Sequence, residues 1–160
     1  MNKIWFIGAG PGDPELITVK GRRLLDAADI LVYAGSLVNP DLVSSSPATW
    51  KYDSNGMSLE EMIPIMVRGA REGKTVVRLH SGDPALYGAI VEQIDLLSQE
   101  SISVEVIPGV SSLFGAAAAL SAQLTLRGVS ESVIITRPAG KTLQKDKITE
   151  LSRTGETMAV

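Results

Sequence analysis

Cysteine is absent from the 160 residues, and histidine occurs once, at His80. Without thiols there is no disulfide framework, thiolate zinc site, iron–sulfur cluster or cysteine nucleophile. One imidazole cannot build a multi-histidine centre, so no metal site is expected, and any Ser-His-Asp triad would have to pass through His80. Aromatic residues make up only 4% of the chain: Trp5, Phe6, Tyr33, Trp50, Tyr52, Tyr87 and Phe114. They are too few and too scattered for a single-strand stacking platform. A basic excess is missing too. The 15 Lys and Arg against 18 Asp and Glu leave a formal charge of −3, which excludes a broad nucleic-acid footprint. Apolar runs are short. The first, Ile4–Ile7, stops at Gly8, far from the ~20 residues of a membrane span and too short for a signal-peptide core. The expectation is a cytoplasmic protein with neither a nucleic-acid nor a membrane partner.

What is present is a globular composition, 44% hydrophobic, in which short β-branched runs alternate with helical spacing. Lys3–Ile7, Asp29–Tyr33, Thr49–Tyr52, Thr75–His80, Ser103–Ile107, Ser132–Thr136 and Thr157–Val160 read as strands. Helices are predicted over Glu15–Ala28, over a short stretch capped by Asn39-Pro40, and from the Ser58–Glu61 capping box to about Gly73. Pro64 should kink or delay that last helix. Further helices are predicted over Leu86–Gln99, over Ser111–Leu120, where small residues suggest tight packing, and over Lys147–Arg153; Arg137–Lys145 reads as a loop. This alternation implies an α/β fold: a mostly parallel sheet with helices on both faces, plus the start of a second α/β domain. The domain division expected is 1–128 and 129–160. The apolar run at Met158–Val160 reads as the opening of that second domain, which implies a partial chain with weak or no activity of its own.

Three Gly/Pro-rich loops, 8–13, 80–84 and 108–112, follow strands and should meet at the carboxyl edge of the sheet, where ligands of such folds bind. The first, Gly8-Ala9-Gly10-Pro11-Gly12-Asp13, departs from a dinucleotide fingerprint. Asp13 stands where Gly or Ala is needed, and the next strand ends in Tyr33-Ala34-Gly35 without an acid for a ribose. Ser81-Gly82-Asp83-Pro84 and Pro108-Gly109-Val110-Ser111-Ser112 each suit either ordinary turn and cap chemistry or a polar ligand. Basic residues lean toward the tail. Residues 1–119 carry nine bases and fourteen acids, and residues 120–160 carry six and four.

Together the segments Ile7–Gly21, Ala28–Tyr33, Gly82–Gly88 and Pro108–Ser112 resemble, in order and spacing, the signatures of the tetrapyrrole (corrin/porphyrin) methylases. Tyr33–Val38, Asp53–Glu61, His80–Ile90 and Val133–Thr142 resemble most the branch that methylates precorrin-4, or cobalt-precorrin-4, at C11 in cobalamin biosynthesis. The resemblance implies S-adenosylmethionine as cofactor and S-adenosylhomocysteine as product, held in a cleft between two α/β domains. It places Pro11, Ser81, Gly82, Asp83, Leu86, Ser111 and Ser112 against that cofactor, with Ser81 standing where relatives have Gly or Thr. It also implies a tetrapyrrole substrate and, at full length, a homodimer. No catalytic residue is named by it. Some relatives carry an Asp in the loop after the second strand, where this chain has Ala34-Gly35-Ser36. An anionic macrocycle meeting an acidic protein needs local donors, for which Arg78, His80, Lys51, Arg137 and Lys141 are candidates. Methylation of another tetrapyrrole carbon, a more distant methylase acting on RNA or protein, and a non-enzymatic nucleotide- or anion-binding module are the competing readings.

Overall fold

The computed structural model describes residues 2–140 and 143–160, and the candidate donor Lys141 lies outside them. The chain divides into two compact units, Met1–Ser112 and Leu113–Val160.

The first unit is built on five strands: β1 (Lys3–Gly8), β2 (Ile30–Tyr33), β3 (Trp50–Asp53), β4 (Val76–His80) and β5 (Ser103–Ile107). They lie in the order β3-β2-β4-β1-β5, every neighbouring pair parallel. The central strand β4 is buried along its whole length, which is why it reads as a run rather than an alternation. The connecting helices are α1 (Val19–Asp26), α2 (Pro40–Ser45), α3 (Leu59–Arg71) and α4 (Ile90–Gln99). They cover both faces. Leu25 of α1 and Leu42 of α2 pack with Ile7, Leu31, Val77 and Leu79 on one side. Met62, Met66 and Val67 of α3 and Leu97 of α4 pack with Ile4, Phe6, Val32 and Val76 on the other.

Two expected helices are changed by their surroundings, and one expected disturbance is absent. The stretch from Glu15 starts as a single 3-10 turn, Pro14–Leu16, capped by Asp13, and α1 begins only after Thr18, whose hydroxyl accepts from Gly21 N. Pro64 neither breaks nor delays α3, because it lies on the exposed face, where the carbonyl left unpaired is solvated. The helix expected from Leu86 starts at Ile90 instead. Residues 85 and 86 are hooked back onto Asp83, and Tyr87 and Ala89 take left-handed backbone. Asn39 and the Ser58–Glu61 box cap α2 and α3 as the sequence predicts.

The second unit contains most of α5 (Ser112–Ala119), then β6 (Val133–Ile135), α6 (Ile148–Ser152) and β7 (Thr157–Ala159), with β6 and β7 paired in parallel. The alanine-rich α5 is not packed as expected. It buries no residue, and Phe114 is 60% exposed. Ser130 joins the unit's ends: its hydroxyl donates to Ser132 O or Glu156 Oε2, both at 2.8 Å, and accepts from Thr157 N at 2.8 Å. No described helix is long and apolar enough to cross a membrane.

Candidate ligand site at the carboxyl edge of the sheet

The crossover of β1 passes over one face to β2, while that of β4 passes over the other face to β5. The neighbouring carboxyl ends of β1 and β4 therefore flank the switch point of the sheet, where open α/β sheets take ligands. All three glycine loops meet there. Gly10 and Gly82 exchange backbone hydrogen bonds, Gly82 N to Gly10 O at 2.9 Å and Gly10 N to Gly82 O at 3.2 Å. Ala9 N donates to His80 O at 2.7 Å. The third loop closes on these two with no room for a side chain. A Cβ on Gly8 would lie 2.5 Å from Gly109 Cα and 2.6 Å from Gly82 O. These glycines serve backbone-to-backbone approach, and two N–H groups of the first loop are already bonded within the protein. That loop shapes the site and has little left with which to cradle a phosphate.

Asp83 ties the arrangement together. Its Oδ1 accepts from Ala85 N at 2.8 Å, and its Oδ2 accepts from Gly109 N at 2.9 Å, across 26 residues of chain. Each oxygen keeps a second lone pair for a ligand donor. Around this strap the structure places half-buried Pro11, Ser81 and Gly82, exposed Leu86, and buried Ser111 followed by exposed Ser112. The space beside Gly82 is bordered by Ser111 Cα and Ser112 N, both 3.8 Å from the position a Cβ would take. Of these residues Pro11 and Leu86 are apolar, whereas Ser81, Asp83, Ser111 and Ser112 carry hydroxyls and a carboxylate.

The basic candidates are dispersed. His80 is 4% exposed, packs 5.2 Å from the Phe6 ring and has no hydrogen-bond partner for Nε2 among the described residues. Burial, with Arg78 adding to it, lowers its pKa to about 3, so it is neutral at pH 7 and supplies no cation. Arg78 is 6% exposed, and burial lowers its pKa to about 10 while Asp53 pulls in the opposite direction. Lys51 donates to the carbonyls of Val43 and Ser44 at the end of α2. Arg137 belongs to the second unit.

Two features escaped the sequence. The loop after β2 has no acid of its own, yet Asp53 on the adjacent strand places its carboxylate there, accepting from Gly35 N at 3.0 Å and Asn55 N at 2.8 Å. Only the register pairing Tyr33 with Asp53 reveals this. The second is Gln93, 3% exposed and hydrogen-bonded to Arg78 and Ala89. A polar residue within a helical repeat carries no such signal.

The profile of the tetrapyrrole (corrin/porphyrin) methylases matches residues 3–160. The chain belongs to that family. Among its relatives, this tetrapyrrole methylase is 53% identical to a cobalt-precorrin-4 C(11)-methyltransferase of Methanocaldococcus jannaschii, over 99% of this chain and 62% of that protein. It is 42% identical to a precorrin-4 C(11)-methyltransferase of Pseudomonas aeruginosa, over 98% of this chain and 64% of the relative. The X-ray structure of a cobalt precorrin-4 methyltransferase superposes with a TM-score of 0.89 at 50% identity, covering 95% of this chain and 65% of the other. A Thermus thermophilus uroporphyrin-III C-methyl transferase, solved with S-adenosylhomocysteine, superposes at 0.76 with 31% identity, covering 92% and 60%. The methylase chain thus spans less than two thirds of the length of each of these relatives.

Proposed function

We propose that this methylase chain binds S-adenosylmethionine at the carboxyl edge of its five-stranded sheet and serves the C11 methylation of precorrin-4 or cobalt-precorrin-4. The observation that carries the reading is the backbone closure of the three loops on one another at the switch point. On this reading Pro11, Ser81, Gly82, Asp83, Leu86, Ser111 and Ser112 are the residues that meet the cofactor. The names of the relatives support the substrate and, with the solved S-adenosylhomocysteine complex, the cofactor class.

S-adenosylmethionine supplies a sulfonium methyl group, so the protein's part is to position, desolvate and exclude water. Asp83 accepts from a hydroxyl or amine of the ligand while keeping the second and third loops in register. Ser81 and the Ser111-Ser112 pair offer hydroxyls and N–H groups to its polar end. Pro11 and Leu86 cover its apolar ring. The nucleophile is an electron-rich ring carbon of the tetrapyrrole. The domain assignment proposed with this is 1–128 for the cofactor-binding domain and 129–160 for a second α/β region, supported by the parallel pairing of β6 and β7. Cytoplasmic location and homodimer formation at full length complete the reading.

Titration calorimetry with S-adenosylhomocysteine, NAD and ATP tests the cofactor. Binding of S-adenosylhomocysteine alone is expected, and preference for NAD or ATP refutes the assignment. Methyl transfer to precorrin-4 against uroporphyrinogen III then tests the substrate.

A further inference from the structure

The turn entering α4 has a conformation that its residues disfavour. Tyr87 and Ala89 both have left-handed backbone, at φ 55° and 47°, a region in which a Cβ crowds the following carbonyl. Between them Gly88 tolerates no side chain, because a Cβ there would press into the Pro84 carbonyl. Ala89 is the N-cap of α4 and has no side chain with which to cap it. Something outside the turn must hold it.

Gln93 meets that need. It is 3% exposed; its Nε2 donates to Ala89 O at 2.9 Å and its Oε1 accepts from Arg78 Nε at 3.3 Å. Arg78 in turn donates from Nη1 to Val32 O at 3.5 Å and Leu79 O at 3.4 Å, at the carboxyl ends of β2 and β4. Arg78 forms no salt bridge among the described residues. A buried cation whose hydrogen bonds, among the described residues, all go to neutral oxygens is a costly element to keep in a core, and here it orients the amide that reaches Ala89. The amide serves both ends, an oxygen toward the guanidinium and an N–H toward the carbonyl.

We propose that Gln93 is a positioning residue: it links Arg78 of the central strand to Ala89 and so sets the Leu86–Ala89 turn against the cofactor. The last clause rests on the proposed function, through the placement of Leu86 at S-adenosylmethionine; the link itself does not.

Gln93→Glu in the 160-residue chain separates the two ends. It keeps an acceptor for Arg78 and loses the donor to Ala89. Expected are an unfolding midpoint close to that of the unsubstituted chain, hydrogen exchange at the amides of residues 85–90 faster by about tenfold, and S-adenosylhomocysteine affinity weaker by about tenfold. Adding Ala89→Gly, which removes the steric objection to left-handed backbone, should recover most of that affinity. A merely structural role would shift the unfolding midpoint and leave the affinity of the folded protein unchanged. Unchanged exchange at residues 85–90, or unchanged affinity, overturns the proposal. Should Gln93→Glu not fold, Gln93→Met fills the same volume without either bond and is read in the same two ways. If the unsubstituted chain binds no S-adenosylhomocysteine, the proposed function falls, and the exchange comparison still decides whether Gln93 holds the turn.

Discussion

Gly109 has no side chain, and the backbone of two other loops occupies the space that one would need. A Cβ on it would fall 2.7 Å from Gly8 Cα and closer still to Gly82 O. Backbone cannot yield as a flexible side chain does, so Gly109→Ala is expected to cost roughly 3 kcal/mol of folding stability, measured by urea denaturation. At Asp83 the loss is chemical. Asp83→Asn replaces one of two accepting oxygens by an NH2 group facing a backbone donor, Ala85 N or Gly109 N. The expected cost is about 1.5–3 kcal/mol, with S-adenosylhomocysteine affinity falling at least tenfold in calorimetry if the third loop swings away. That Ser81-Gly82-Asp83-Pro84 forms a turn is legible locally, since these are turn residues. That Asp83 reaches a glycine 26 residues away is not, because nothing in either segment specifies the other.

At the scale of elements, local signals succeeded where the local contest was one-sided and failed where a tertiary contact outweighed them. Asn39-Pro40 and the Ser58–Glu61 box name the starts of α2 and α3, each within its own turn of chain. The periodicity from Leu86 continues into α4, yet residues 86–89 stay outside the helix: Asp83 holds the N–H groups of residues 85 and 86, and Tyr87 and Ala89 take left-handed backbone. Ala89→Gly should therefore raise stability by about 0.5–1 kcal/mol, because glycine accepts φ 47° without steric cost and loses only part of the gain to its freer unfolded chain. A thermal or urea midpoint that falls instead would show that the turn is not strained. In α5 the alanines predicted tight packing from residue size alone. Its exposure in the structure shows that small residues permit close approach without requiring it.

Across the whole molecule, folding stability should depend on pH through His80. The folded pKa of about 3 lies below the ordinary value of 6.5, because burial, then Arg78, disfavours the imidazolium. The unfolded chain thus binds a proton that the folded one refuses once pH drops below 6.5. Stability is unaffected by this group above that value and declines as pH falls from there toward 3, at up to about 1.4 kcal/mol per pH unit. Urea denaturation from pH 7 to pH 4 should show that decline, and His80→Gln should flatten it. A slope left intact in His80→Gln would assign the acid sensitivity to other groups.

The sequence by itself determined the α/β class, the parallel strands, two helix caps, the three loops and, through the order of its motifs, the family, because each of these is written within a few neighbouring residues or in their spacing. The absence of cysteine and the single histidine already pointed away from thiol and metal chemistry. The tertiary structure alone decided that β1 and β4 lie side by side at the switch point, that Gly8, Gly82 and Gly109 interlock, that Asp53 brings its carboxylate to Gly35, and that Gln93 spans Arg78 and Ala89. Apart from the Gln93–Ala89 bond, those are contacts between segments 15 or more residues apart. They depend on strand order and register, which follow from burying both faces of one sheet at once rather than from any local preference.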